Sequence, residues 1–121
     1  MSREKIPVSS SQEFIENESV EWEPMSAGVR RKVMAYSDEI MLVRVEFEIG
    51  GIGTIHNHPQ VQVSNVESGV FEIEIDGKKK ILKAGDAFYV PSNSMHGAVC
   101  IKAGVLVDVF SPMREDFIDK K

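Results

Sequence analysis

Gly69-Val70-Phe71-Glu72-Ile73-Glu74-Ile75-Asp76-Gly77-Lys78-Lys79-Lys80-Ile81-Leu82 is the stretch that decides the fold. Phe71, Ile73 and Ile75 alternate with Glu72, Glu74 and Asp76, and a strand turns that alternation into one dry and one wet face. Asp76-Gly77 then interrupts the run, and this pair tolerates the positive φ that a type I′ hairpin needs at both central positions. A second run follows, so the stretch reads as two antiparallel strands. Lys78, Lys79 and Lys80 read as the solvated start of the returning strand and are given no function.

On either side the same grammar continues. Short runs rich in Val, Ile and Phe, separated by glycine, proline or Asp-Gly, predict strands over residues 29–35, 40–49, 54–66, 69–75, 79–82, 87–90, 97–101 and 105–110. No long helix interrupts them and no internal repeat doubles them. The expectation is an all-β, single-domain barrel, an antiparallel jelly roll over residues 20–121. Residues 1–19, with Ser9-Ser10-Ser11-Gln12 and little periodicity, read as an N-terminal arm with little chemistry.

At 121 residues the chain has room for one core, and its 42% apolar and 27% charged composition is that of a soluble globular protein. A net charge of -5 without a basic stripe argues against nucleic acid as a partner. The N-terminus lacks an apolar signal region, and no run approaches the roughly twenty apolar residues of a membrane span, so no membrane partner and a cytoplasmic location are expected. Cys100 is the only cysteine, which excludes an internal disulfide and leaves it as a small strand residue. A barrel with an exposed sheet edge, helped by the arm, is expected to pair as a homodimer.

The chemistry concentrates in His56-Asn57-His58-Pro59-Gln60-Val61-Gln62 and in His96, which follows the run Gly85 to Pro91. If residues 54–66 form one strand, His56, His58 and Gln62 share a face while Asn57 and Val61 point away. Imidazole nitrogens suit a first-row divalent ion, and an amide oxygen can complete one side while leaving positions open for water or substrate. The plain alternative is surface histidines, or histidines satisfied within the core. In the last run, Gly104-Val105-Leu106-Val107-Asp108-Val109-Phe110, the carboxylate is costly to bury unless paired, protonated or used. Facing inward, Asp108 shares a side with Leu106 and Phe110. Arg114 offers a planar fork for a substrate carboxylate, or else a surface pair with Glu115 or Asp116.

The spacing brings in a resemblance. Gly50, five residues, His56-x-His58, three residues, Gln62, six residues and Gly69 resembles the first cupin motif. Gly85, five residues, Pro91, one residue, Asn93, two residues, His96 and three residues to Cys100 resembles the second. The departures are Gln62 for the usual Glu, Asn93 for Gly and Cys100 for Asn. More closely, Val29-Arg30-Arg31-Lys32-Val33, the run Met41 to Phe47, His56-x-His58-Pro59 with Gln62, and Leu106 through Phe117 resemble the KdgF-type cupins of pectin and alginate breakdown.

That resemblance implies a metal-dependent enzyme converting 4,5-unsaturated monouronates to the linear ketonised sugar acid, so the implied partner is a small acidic sugar. It places the metal set on His56, His58, Gln62 and His96, for one divalent ion that could be Ni, Zn, Fe or Mn. It places the functional acid, aromatic and arginine on Asp108 (acid/base), Phe110 and Arg114 (carboxylate binding); beside that set, Tyr89 is expected to help Phe110 shape the sugar-facing wall. Where relatives commonly show His-Glu, this chain has Gln60-Val61. A neutral Gln62 leaves a bound ion more Lewis acidity than a glutamate would. The competing readings are an iron-dependent cupin dioxygenase, which a glutamate ligand would favour, and a non-catalytic sugar- or metal-binding module.

Overall fold

In the computed structural model residues 10–118 are described. Strands dominate: β1 Glu23–Ser26, β2 Val29–Ser37, β3 Ile40–Phe47, β4 Ile52–His56, β5 Val61–Ile75, β6 Lys78–Lys83, β7 Ala87–Val90 and β8 His96–Ser111, followed by the one-turn helix α1 Glu115–Ile118. All pair antiparallel in one sheet of order β1-β2-β3-β8-β5-β6, with β4 added on β8 and β7 on β5. Asp76 and Gly77 take φ of 50° and 83°, as the expected tight hairpin between β5 and β6 requires.

Two long strands organise everything else. β5 has 15 residues and β8 has 16, and they pair from Val61↔Ser111 to Ile75↔His96. Near Val61 the pair is flanked by β7 and β3, and near Ile75 by β6 and β4. Between these halves the register shifts at Val66/Ser68, Ser68/Val70 and Val70/Phe71. Bulges of this kind bend a strand, and here they fold one sheet over on itself. Backbones touch at the bend: a Cβ on Gly104 would lie 2.1 Å from the Ser68 carbonyl oxygen, and one on Gly69 (φ +85°) 2.6 Å from that of Lys102.

The core confirms the closure. Val29, Phe47, Val66, Phe71, Ile73, Cys100 and Leu106 form one buried cluster drawn from both halves, with Phe47 meeting Phe71 edge-on at 5.0 Å. Burial of a ring like the fully enclosed Phe71 contributes about 2–3 kcal/mol. Met41, Val43, Phe110 and Met113 form a second cluster toward the end where α1 packs through Phe117 and Ile118. The result is the all-β antiparallel jelly roll that the alternation predicts.

Three details differ from the sequence expectation. The predicted strand 54–66 is two strands, because Pro59 has no N–H to give a ladder and the chain leaves the sheet over residues 57–60. The runs 69–75 and 97–101 are not separate strands: they continue 61–66 and 105–110 through the bulges. A first strand, β1, and the turn of 3-10 helix Asn17–Ser19 also precede the predicted ones.

Of the expected arm, residues 1–9 lie outside the described residues. Beyond them Ser11 N–H donates to the Tyr36 carbonyl at 2.9 Å. Lys32, only 5% exposed, donates to the Asn17 carbonyl at 2.9 Å and to its side-chain oxygen at 3.1 Å, over the Trp22 ring. These bonds satisfy a cation that would otherwise be costly to bury. No helix among the described residues is long and apolar enough to cross a membrane.

Candidate metal centre

The three histidines come from three different places. His56 ends β4, His96 opens β8, and the ladder pairs them directly. His58 sits in the loop between β4 and β5, and Gln62 is the second residue of β5. The common-strand argument for His56, His58 and Gln62 is therefore replaced by a loop-and-two-strand arrangement, although the residues still converge. One ring nitrogen from each histidine lies within 4.8 Å of the others. Gln62 Oε1 lies 3.1 Å from His58 Nε2.

Each ring is also held the same way up. Nδ1 of His56 meets the Thr54 carbonyl at 2.7 Å, Nδ1 of His58 the Gln60 carbonyl at 3.1 Å, and Nδ1 of His96 the Ser94 carbonyl at 2.9 Å. A carbonyl only accepts, so each Nδ1 carries the proton and each Nε2 lone pair is left to the cluster. Fixing the tautomer through the far nitrogen is how metal-binding histidines are oriented. Burial, then the charges of Arg114 and His96, lower the pKa of His58 to about 4, and burial also lowers that of His96. Both rings are neutral near pH 7, the form that binds a cation. The donor set fits one divalent ion: the three ring nitrogens could hold it, and the Gln62 oxygen lies beside them.

Next to this cluster opens a cavity of about 430 Å³ lined by His56, Gln62, His96, Asp108, Phe110 and Arg114 among others. Asp108 faces inward on β8 with Leu106 and Phe110, as the alternation predicts, and is 8% exposed. Burial pushes its carboxyl up to about 6, against the lowering effects of a hydrogen bond from Ser64 and the Arg114 charge. Phe110 packs edge-on to His58 at 5.5 Å. Arg114 stacks its guanidinium 4.2 Å from the Phe117 ring centre, and its fork holds Asp116 through contacts of 3.1 and 2.9 Å. The surface pairing with Asp116 and the cavity position thus both occur, in one residue.

Tyr89 is placed elsewhere. On β7 it pairs with outward-facing Val63 and is 57% exposed, whereas its neighbour Phe88 points in and lines the cavity. Strand alternation transfers the expected wall from Tyr89 to Phe88.

Residues that sequence reading missed include Ser64, fully buried between Gln62 and Asp108, and Arg31, which stacks at 3.7 Å on Phe117, the ring that Arg114 also meets. Ser64 follows Gln62 by the same two-residue period, which is the signal that would have found it. Arg31 stands in the Val29-Arg30-Arg31-Lys32-Val33 run that carries the resemblance, but nothing in that run assigns it to the site.

Comparison with known proteins matches residues 43–110 to the cupin domain family. The chain is 46% identical over 107 residues to the pectin degradation protein KdgF of Dickeya dadantii (strain 3937), covering 87% of this chain and 96% of that protein. Among solved structures it is similar to KdgF from Halomonas sp. (38% identity, TM-score 0.84, covering 88% of this chain and 99% of that one). It is also similar to an RmlC-like cupin from Shewanella frigidimarina NCIMB 400 (42% identity, TM-score 0.87, covering 89% and 97%).

Proposed function

This chain belongs to the cupin domain family and, within it, to the KdgF proteins, and from that premise we propose that it is a metal-dependent enzyme converting 4,5-unsaturated monouronates, from pectin or alginate, to the linear ketonised sugar acid. The observation that carries this reading is one cavity shared by a tautomer-fixed histidine cluster, a buried carboxyl and an arginine fork. His56, His58, Gln62 and His96 would hold the ion. When bound, it supplies Lewis-acid polarisation of substrate oxygens.

The remaining work falls to side chains. Opening the ring breaks the bond between C1 and the ring oxygen as the C1 hydroxyl loses its proton and the ring oxygen gains one. The enol left at C5 then becomes a ketone when its hydroxyl proton leaves and C4 gains one. No electron or water is consumed, so what the site must supply is proton transfer and orientation. Asp108, with its pKa near 6, can both take and give a proton close to neutral pH. Arg114 would bind the substrate carboxylate once Asp116 yields its fork, and Phe110 and Phe88 would flank the sugar. Val43, Leu106 and Phe110 line the same cavity and give the Asp108 carboxyl an apolar surround.

The test is ultraviolet absorbance of an unsaturated monouronate, which falls as the conjugated double bond is lost. Metal-loaded protein is expected to accelerate that loss, and His96→Ala to abolish the acceleration. No acceleration across a panel of lyase-derived uronates would refute the substrate class. Oxygen consumption during turnover would point instead to a dioxygenase.

A further inference from the structure

The candidate ligand Gln62 differs from the histidines in one respect. An amide is nearly the same shape either way round, but only its oxygen can bind a cation, so something must decide which end faces the cluster. No ring nitrogen does this, because each Nε2 offers a lone pair that would suit either a cation or the amide N–H. The neighbour on the other side of the amide is Ser64.

Ser64 is fully buried in β5, two residues beyond Gln62 and directly across the ladder from Asp108. Its hydroxyl donates to Asp108 Oδ1 at 2.6 Å and accepts from Gln62 Nε2 at 2.9 Å, while Gln62 Oε1 lies 3.1 Å from His58 Nε2. A serine hydroxyl has a single proton. Because the Asp108 carboxylate takes that proton, the oxygen can only accept from its other neighbour, and an amide N–H must face it. The amide oxygen is thereby turned toward the histidines. Gln62 itself is 6% exposed, so bulk water offers the amide little alternative.

We propose that Ser64 is a positioning residue that, held by Asp108, sets the amide orientation of Gln62 and so makes it a cation ligand. The inference rests on the metal-centre reading above and extends it from four residues to a chain of hydrogen bonds ending at Asp108. The couple also runs in reverse: the carboxylate assigned to proton transfer is the group that keeps the amide oxygen pointed at the ion.

The experiment is zinc affinity, measured by competition with a chromophoric chelator, in a double-mutant cycle of Ser64→Ala and Gln62→Glu. Removing the hydroxyl from the wild-type background is expected to weaken zinc binding by about 10- to 100-fold, the usual effect of losing a partner that orients a ligand. A carboxylate has no wrong end, so in the Gln62→Glu background the same change is expected to cost less than about threefold. If Ser64→Ala does not fold, as judged by circular dichroism of the metal-free protein, Ser64→Gly takes its place with the same expectations.

Unchanged affinity in Ser64→Ala, or an equal loss in both backgrounds, overturns the inference while leaving the metal centre intact. Wild-type protein that binds zinc no better than His96→Ala overturns the metal centre itself, and the inference with it.

Discussion

At the scale of single residues, Asp108 is placed for chemistry at a cost in stability. Its folded pKa stands at about 6, against 3.8 for the free side chain, so the folded state holds the proton more tightly than the unfolded chain. Stability from this group is present in full below about pH 4 and is lost as the pH rises through about 6, a gap corresponding to about 3 kcal/mol. His58 and His96 have lowered pKa values and act in the opposite sense, so only a comparison of variants isolates Asp108. Asp108→Asn keeps an acceptor for Ser64 and carries no charge. Metal-free Asp108→Asn is expected to melt above wild type at pH 8, with the difference shrinking to nothing below pH 4, while uronate turnover falls at least about 100-fold. Coincident melting curves at pH 8 would contradict this. Asp116 makes a second case. It occupies the Arg114 fork that a substrate carboxylate needs, yet its side chain is 63% exposed, and such pairs are worth about 1 kcal/mol or less. Asp116→Asn is expected to lower KM by up to about fivefold with kcat little changed; steady-state kinetics that show a raised KM would mean that Asp116 orients Arg114 rather than competing for it.

At the scale of elements, the site depends on the bend in β5 and β8, because Gln62 and Asp108 lie together in one half of the paired strands and His96 at the far end of the other. Gly104 makes that bend possible. An added Cβ would meet the Ser68 carbonyl carbon and oxygen at 2.4 and 2.1 Å, and both are backbone atoms that cannot rotate away. Gly104→Ala is expected to cost about 2–4 kcal/mol, seen as a lower midpoint in denaturant, whereas Gly77→Ala, which meets no atom within 4 Å, is expected to cost only the strain of its positive φ. Equal midpoints for the two variants would refute the close-approach argument. These glycines also show where sequence reading stops. Phe71 to Gly77 was readable because alternation and an Asp-Gly turn are local properties, decided within a few residues. The sequence starts a new strand at Gly69 and another just after Gly104, because a bulge glycine and a turn glycine look alike until the partner strand is known. Pro59 was passed over inside a predicted strand, yet the histidines still converged because their spacing across the loop was itself part of the pattern. The two-residue period after Gln62 puts Ser64 on the inward face, but its partner Asp108 lies 44 residues away, and that pairing is not legible in the sequence.

At the scale of the whole molecule, charge and apolar surface are distributed unevenly. The chain carries a net charge of -5, and the two cations on the cavity wall, Arg31 and Arg114, both stack on Phe117 with Glu23 and Asp116 as their ion-pair partners. On the opposite, outward side of the sheet, Leu42, Val109, Val63 and Tyr89 stand in register across β3, β8, β5 and β7. Val63 and Tyr89 are 52% and 57% exposed, with Val61 and Ile40 beside this row also exposed. Apolar side chains contiguous across four strands are more than the single scattered ones a monomer commonly shows, and a two-fold partner would cover the row with its own copy. The expected species is therefore a homodimer, with a light-scattering mass twice the 13.5 kDa of the chain. Val63→Lys places a charge at the centre of the row without entering the core, because its neighbours Gln62 and Ser64 carry the inward positions. The variant is expected to elute at the mass of one chain and to keep zinc affinity, since no donor of the centre lies on that face. A wild-type mass of one chain at micromolar concentration would leave the row without a partner copy, and a Val63→Lys dimer would move the interface elsewhere.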